Sequence, residues 1–270
     1  MISSKRIGFI GGGAMAEAII KGLLNSGLCK PANITVSDIA HSRLEYLASK
    51  LGVTPAHDNV LIAKQSEILF LAVKPQVLDN VITPLKSAVS SSTLVLSIAA
   101  GISIAKLEEY LPGIPVIRIM PNTPLAVGEG MSAISLGKHA SAADGEAAKR
   151  IFSSSGKAVV VDESLLDAVT GLSGSGPGYG FVIIDALADA GVKVGLSRQA
   201  AIMLAAQTLL GTAKMVLETG EHPARLRDMV TSPAGTTIAG IHVLEQRGVR
   251  AALIDAVIAA TERSGEMGKR

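Results

Sequence analysis

The sequence predicts an α/β domain with a mainly parallel sheet over residues 1–162, followed by an all-α domain over residues 163–270. Three observations carry this. Short apolar runs recur through the first part, each stopped by Gly, Pro or Asn and followed by an apolar pattern at helical spacing, as alternating strands and helices require. From Glu163 onward those runs stop and long helical patterns replace them. A glycine-rich turn, Gly11-Gly12-Gly13, joins the first strand to the first helix, as at the start of a Rossmann-like sheet.

Ile7, Phe9 and Ile10 form a short buried strand, and Ile19, Ile20, Leu23 and Leu24 give the next helix its apolar face. The turn reads G-x-G-x-x-A across Gly11, Gly13 and Ala16, so backbone can approach a pyrophosphate while N–H groups at Ala14 and Met15 face it. A tight turn wants glycine without any ligand, but the position in the first strand-helix unit favours a dinucleotide. Residues 34–38 read as the second strand and 42–51 as its helix. Asp38, beside Ser37, lies where an acidic residue takes the adenosine ribose hydroxyls, which favours NAD. His41, Ser42 and Arg43 are residue types that hold a 2′-phosphate, which favours NADP. Both cofactors stay open at this point.

Residues 68–73 are continuously apolar, as a central parallel strand should be, and end in Lys74-Pro75-Gln76. Two further strands, 93–99 and 116–120, end at Ala100-Gly101 and at Pro121-Asn122-Thr123-Pro124. Strand ends of this kind face the ligand crevice, and small or polar residues there suit a nicotinamide. Residues 131–136 and 158–161 are the last strands, with a helix over 142–152 between them. Helical patterns then cover 181–194, 199–217, 224–230, 237–247 and 250–263.

Composition narrows the function. The chain has 270 residues, 48% hydrophobic, enough for one large domain or two ordinary ones. Lys and Arg number 25 against 23 Asp and Glu, so no basic footprint points to nucleic acid or an anionic membrane. Cys29 is the only cysteine, which excludes an internal disulfide and any multi-cysteine metal site. Three glycines and Glu17 interrupt the apolar stretch after Arg6, so no signal peptide is read and a cytoplasmic protein is expected. Mean hydropathy is +0.43, yet Asp185, Asp189, Asp255 and Glu262 cut the apolar helices and favour a core or subunit interface over a membrane.

In the second domain two small-residue loops each open a helix, 172–179 and 231–237. A helix N-terminus offers open N–H groups and partial positive charge, a seat for a carboxylate, and Ser232, Thr236 and Thr237 add hydroxyls. Both loops also read as ordinary caps and turns. No H-E-x-x-H, cysteine pair or G-x-S-x-G occurs, so neither a metal nor a nucleophile elbow is expected. The helix after the first loop has no Lys or His over 179–192. Ketone reduction wants a positioned acid for the developing alkoxide, whereas an imine nitrogen enters already protonated. The pattern leans toward a cyclic imino acid over a hydroxy acid.

These segments resemble the Δ1-pyrroline-5-carboxylate reductase family: the glycine loop with Ala14-Met15-Ala16, residues 72–76, 120–124, 167–177 and 231–237. The resemblance runs nearly end to end and implies hydride transfer from NADPH, favoured, or NADH to the C=N of 1-pyrroline-5-carboxylate, giving L-proline. Carried over by position, the cofactor-binding set is Gly11, Gly13, Ala14, Met15, Ser37, Arg43, Asn59, Ala72, Val73, Lys74, Pro75, Ala100 and Asn122, the last by the nicotinamide. Ser232, Gly235, Thr236 and Thr237 would hold the substrate carboxylate, with Thr237 as the catalytic candidate because it can also reach the ring nitrogen. The family pairs through its helical domain, so a homodimer with shared active sites is implied, and larger rings of dimers also occur. Gly178 and Ala234 depart from the family's usual Ala and Gly; the second matters if that position needs φ > 0. A related hydroxy-acid dehydrogenase and a non-catalytic dinucleotide sensor are the alternatives.

Overall fold

The computed structural model describes residues 2–268. Its eight strands are β1 (Ile7–Ile10), β2 (Ile34–Ser37), β3 (Thr54–Ala56), β4 (Ile68–Leu71), β5 (Leu94–Ser97), β6 (Val116–Pro121), β7 (Gly130–Leu136) and β8 (Gly156–Val160), in the order β3-β2-β1-β4-β5-β6-β7-β8. Every neighbouring pair is parallel except β6 with β7. β1 therefore sits where the order reverses, between β2 and β4, which in such sheets is where ligands bind.

Central burial explains the apolar runs. All residues of β1 and β4 are buried, and alternate side chains serve opposite faces of the sheet. Phe9 and Phe70, paired in register, stack with ring centroids 4.3 Å apart on one face, over Ile19, Ile20, Leu23 and Phe152. Ile10, Leu69 and Leu71 belong to the other face with Val95 and Leu107. The helices on this unit are α1 (Ala14–Asn25), α2 (His41–Leu51), α3 (Asn59–Gln65), α4 (Leu78–Ile82), α5 (Ile104–Tyr110), α6 (Ala142–Ser153) and α7 (Leu166–Val169). β3 escapes a sequence reading because it has three residues, carries Pro55 and lies at the edge of the sheet.

Contacts divide the chain between Gly174 and Ser175, beyond the boundary at residue 162 expected from strand signals alone. The segment after β8 stays with the sheet because specific bonds hold it. Glu163 pairs with Arg118 of β6 at 2.9 Å, and Asn122 donates to the Ser173 carbonyl at 3.0 Å. The last part of α12 (Val249–Gly268) also belongs to this unit from Ala260 onward, where Ser264 donates to Asp167 at 2.7 Å.

The second unit, Ser175–Ala259, holds α8 (Gly176–Lys193), α9 (Arg198–Thr219), α10 (Pro223–Met229), α11 (Thr236–Gln246) and the first part of α12. Its buried hydrophobic residues are Ala188, Ala201 and Ala205. Phe181, Leu204, Leu210, Leu253 and Ile254 all face outward. α9 is long and apolar enough to cross a membrane by length and composition, with 11% of its apolar window buried. The charges that cut the apolar runs of α8 and α12 have no counterpart in the middle of α9.

Candidate active site

The glycine turn separates two needs of the backbone. Gly11 has φ +100°, and a Cβ there would lie 2.6 Å from the Ala72 carbonyl oxygen. It is required by the fold, since the chain crosses the end of β4 at that point. Gly13 is different. It caps α1 with ordinary backbone angles and no side-chain bond, and nothing lies within 4 Å of where its Cβ would be. Open space thus faces the uncapped first turn of a 12-residue helix, where Ala14 and Met15 present their N–H groups. That cradle, free of side chains, fits a diphosphate.

Neighbouring loops brace the turn. The Gly12 N–H donates to Asp38 Oδ2 at 2.8 Å, and the other Asp38 oxygen accepts from Ala40 N at 2.9 Å. Ser37 is buried and its hydroxyl donates to Asn59 Oδ1 at 2.6 Å, which joins the ends of β2 and α3. Arg43 donates from Nε to the Gly12 carbonyl at 2.5 Å and from Nη2 to the Gly13 carbonyl at 3.3 Å. The same Nη2 meets Glu17 Oε2 at 2.5 Å. Burial works against the charged form of Glu17, but bonds from Lys21 and Arg43 outweigh it and hold the carboxyl below its usual range. Arg43, read from sequence as a phosphate ligand, is here engaged with the turn itself.

Further along the strand ends, Pro75 and Ala100 line one cleft of about 720 Å³ together with Gln76, Ser103, Lys106 and Arg263. Gln76 is named by the sequence at this strand end, whereas Ser103, Lys106 and Arg263 are not. Arg263 arrives by the return of α12, a contact with no local signal. Ala72 is tied to β1 by its N–H to the Ile10 carbonyl at 2.9 Å, Val73 is half-buried and Lys74 is exposed. Asn122 uses its amide oxygen to accept from Met131 N at 2.8 Å and its amide nitrogen to reach Ser173. It clasps the β6–β7 connection to the segment after β8.

On the helical unit, the Gly235 N–H donates to the Ser232 carbonyl at 3.0 Å. Pro233 and Ala234 occupy the turn between them, and Ala234 has φ +56°. Pro followed by a residue at positive φ is the pattern of a type II turn, which normally takes Gly in the second place. The departure at Ala234 therefore falls where φ > 0 is required. A Cβ on Gly235 would come within 2.3 Å of the Ser232 hydroxyl, so the turn packs tightly on itself. It delivers the chain into α11, whose N-cap, Gly235, makes no side-chain bond. Thr236 and Thr237 open the helix, both exposed. Uncapped N–H groups beside the hydroxyls of Ser232, Thr236 and Thr237 are groups of the kind that can receive an anion. Gly178 stands in open space, and its departure meets no neighbour.

A relative from Methanosarcina acetivorans named pyrroline-5-carboxylate reductase is 52% identical over 270 residues, covering 100% of both chains. The chain belongs to the pyrroline-5-carboxylate reductase family. Residues 163–267 match the family described as pyrroline-5-carboxylate reductase dimerisation, and residues 6–101 match one described as NADP oxidoreductase, coenzyme F420-dependent. Among solved structures, a family member from Coxiella burnetii superposes with a TM-score of 0.92 at 35% identity, covering 98% of this chain and 99% of that one. A second, from Plasmodium falciparum with NADP bound, gives 0.88 at 32% identity, covering 99% and 100%. The glycine turn lies in the match over residues 6–101 and the Ser232 to Thr237 turn in the match over residues 163–267.

Proposed function

We propose that the protein is a pyrroline-5-carboxylate reductase that uses NADPH to reduce the C=N of 1-pyrroline-5-carboxylate to L-proline. The observation that carries this is the carboxylate seat: an uncapped helix N-terminus at Thr236 and Thr237, fed by the tight turn from Ser232 to Gly235. NADPH, when bound, supplies the hydride. The chain supplies positioning. Gly11, Gly13, Ala14 and Met15 receive the diphosphate. Ser37, Asn59, Ala72, Val73, Lys74, Pro75, Ala100 and Asn122 shape the rest of the cofactor crevice, with Ser37 and Asn122 acting through the bonds they make inside the fold. Ser232, Gly235, Thr236 and Thr237 hold the carboxylate, and the Thr237 hydroxyl serves the ring nitrogen.

A hydroxy-acid dehydrogenase is the weaker reading, because α8 carries its one lysine, Lys193, in the last turn, far from its loop. The exposed apolar faces of α9 and α12 support a homodimer formed through the helical unit. They account for the apolar surface of α9 without a membrane, in a protein of the cytoplasm. The deciding experiment follows NADPH absorbance with 1-pyrroline-5-carboxylate and, separately, with short hydroxy acids and NADP. Turnover of the imine alone is expected. Turnover of a hydroxy acid alone would replace this reading with the other.

A further inference from the structure

The adenosine end of the crevice carries an arrangement that no motif describes. His41 opens α2, and His57 lies in the connection between β3 and α3. Both are exposed, and their rings stack with centroids 5.6 Å apart and planes at 24°. β2 and β3 are adjacent and parallel, so the two connections leave the same end of the sheet. Asp38 lies at that end and binds Gly12 of the phosphate turn. In a sheet of this type the adenosine ribose sits beside the glycine turn, over the end of the second strand.

Asp38 and Arg43 at this place are already employed. Each Asp38 oxygen accepts a backbone N–H. The Arg43 guanidinium commits Nε and Nη2 to the Gly12 and Gly13 carbonyls and to Glu17, and lies over the Tyr46 ring, 5.1 Å from its centroid. A bidentate fork toward a phosphate would break these bonds, which brace the turn that receives the diphosphate. The two imidazoles have no such duty. His41 Nε2 meets Glu45 at 3.3 Å, and His57 makes no hydrogen bond among the described residues. Ser42, next to His41, is also exposed.

We propose that His41 and His57 clamp the adenosine 2′-phosphate of NADPH and set the preference for NADPH over NADH, while Arg43 is a positioning residue for the glycine turn. This rests on the NADPH reading above. Each imidazole offers an N–H to a phosphate oxygen. The loops after β2 and β3 then read the cofactor jointly.

The test measures cofactor binding directly, by fluorescence of NADPH and of NADH titrated with the full-length protein. His57→Leu and His41→Leu should each weaken NADPH about tenfold or more, as loss of a hydrogen bond to a charged group does, and leave NADH unchanged. Arg43→Ala should weaken both cofactors alike, and Glu17→Gln should reproduce that pattern. Melting curves that match the wild type show that a variant is folded; should His57→Leu not fold, His57→Gln serves in its place. Wild-type protein that binds neither cofactor overturns the NADPH reading and the clamp together. NADPH binding whose preference survives in the His57 variant overturns the clamp alone. A loss confined to NADPH in Arg43→Ala returns the phosphate to Arg43 and overturns its positioning role.

Discussion

The Gly235 N–H donates to the Ser232 carbonyl at 3.0 Å, and the turn it closes holds Ala234 at φ +56°. An L-residue with a Cβ pays about 1 kcal/mol for the left-handed region. Glycine would remove that strain and return part of the gain as entropy of the unfolded chain. Ala234→Gly should therefore raise stability by a few tenths to about 1 kcal/mol, read as a higher denaturant midpoint with the same slope. Ala234→Val should lower it, because a β-branched residue is a greater misfit there. A lower midpoint for Ala234→Gly would mean that the turn relaxes in solution.

Gly11 and Gly13 separate folding from binding. Gly11→Ala places a Cβ 2.6 Å from the Ala72 carbonyl at φ +100°, and should cost about 2 kcal/mol or more through backbone strain and displacement of the β4 end. Gly13→Ala meets nothing within 4 Å and should leave the melting temperature nearly unchanged. Its methyl would occupy the space proposed for the diphosphate, so cofactor affinity should fall sharply. Unchanged affinity in Gly13→Ala would move the diphosphate elsewhere.

The parts of this molecule that a reader of the sequence finds are those whose causes are local. Gly11 is required by its own φ and by the nearby backbone of residue 72, and β1 and β4 are apolar because both faces are covered. The turn from Ser232 and the helix start at Thr236 are legible because they are consecutive in the chain. The bonds of Arg43 are not legible in the sequence because its partners, Gly12, Gly13 and Glu17, lie about one strand-helix unit earlier in the chain, and residue type alone says nothing of such engagement. The return of α12 to the sheet unit depends on Ser264 meeting Asp167, for which neither residue carries a pattern. An apolar helix such as α9 looks the same in sequence whether its own chain or another covers it.

Glu17 gives a pH signature. Its folded carboxyl is held below the usual 4.5, so the stability it contributes is fully present above the unfolded value and fades as pH falls through the folded one. Wild type and Glu17→Gln should differ in unfolding free energy at neutral pH, with the variant less stable, and should converge as pH falls through the lowered folded value of this carboxyl. A difference that grows on acidification would reverse the sign assigned to this carboxyl.

Leu210 and Ile254 are exposed by 52% and 54% on helices whose unit buries three alanines. A charge at either should cost little within one chain, where the side chain already faces water, and should disrupt an apolar interface between chains. Leu210→Glu and Ile254→Glu are expected to shift sedimentation from dimer toward monomer at micromolar concentration, with activity falling in parallel. Dimers that persist in both variants would place the interface on another face.

Thr237 tests the substrate seat. If its hydroxyl serves the carboxylate and the ring nitrogen, Thr237→Ala removes hydrogen bonds to charged groups worth about 1.5–3 kcal/mol, or about 10- to 150-fold in kcat/KM. Thr237→Ser keeps the hydroxyl and should recover most of the loss. Because Thr237 is exposed in the first turn of α11, its truncation should leave thermal stability nearly unchanged, which separates binding from folding. A rise in KM at constant kcat would assign the hydroxyl to carboxylate binding alone. An equal fall in kcat and kcat/KM would assign it to the transition state at the imine nitrogen, and wild-type kinetics in Thr237→Ala would remove it from the site.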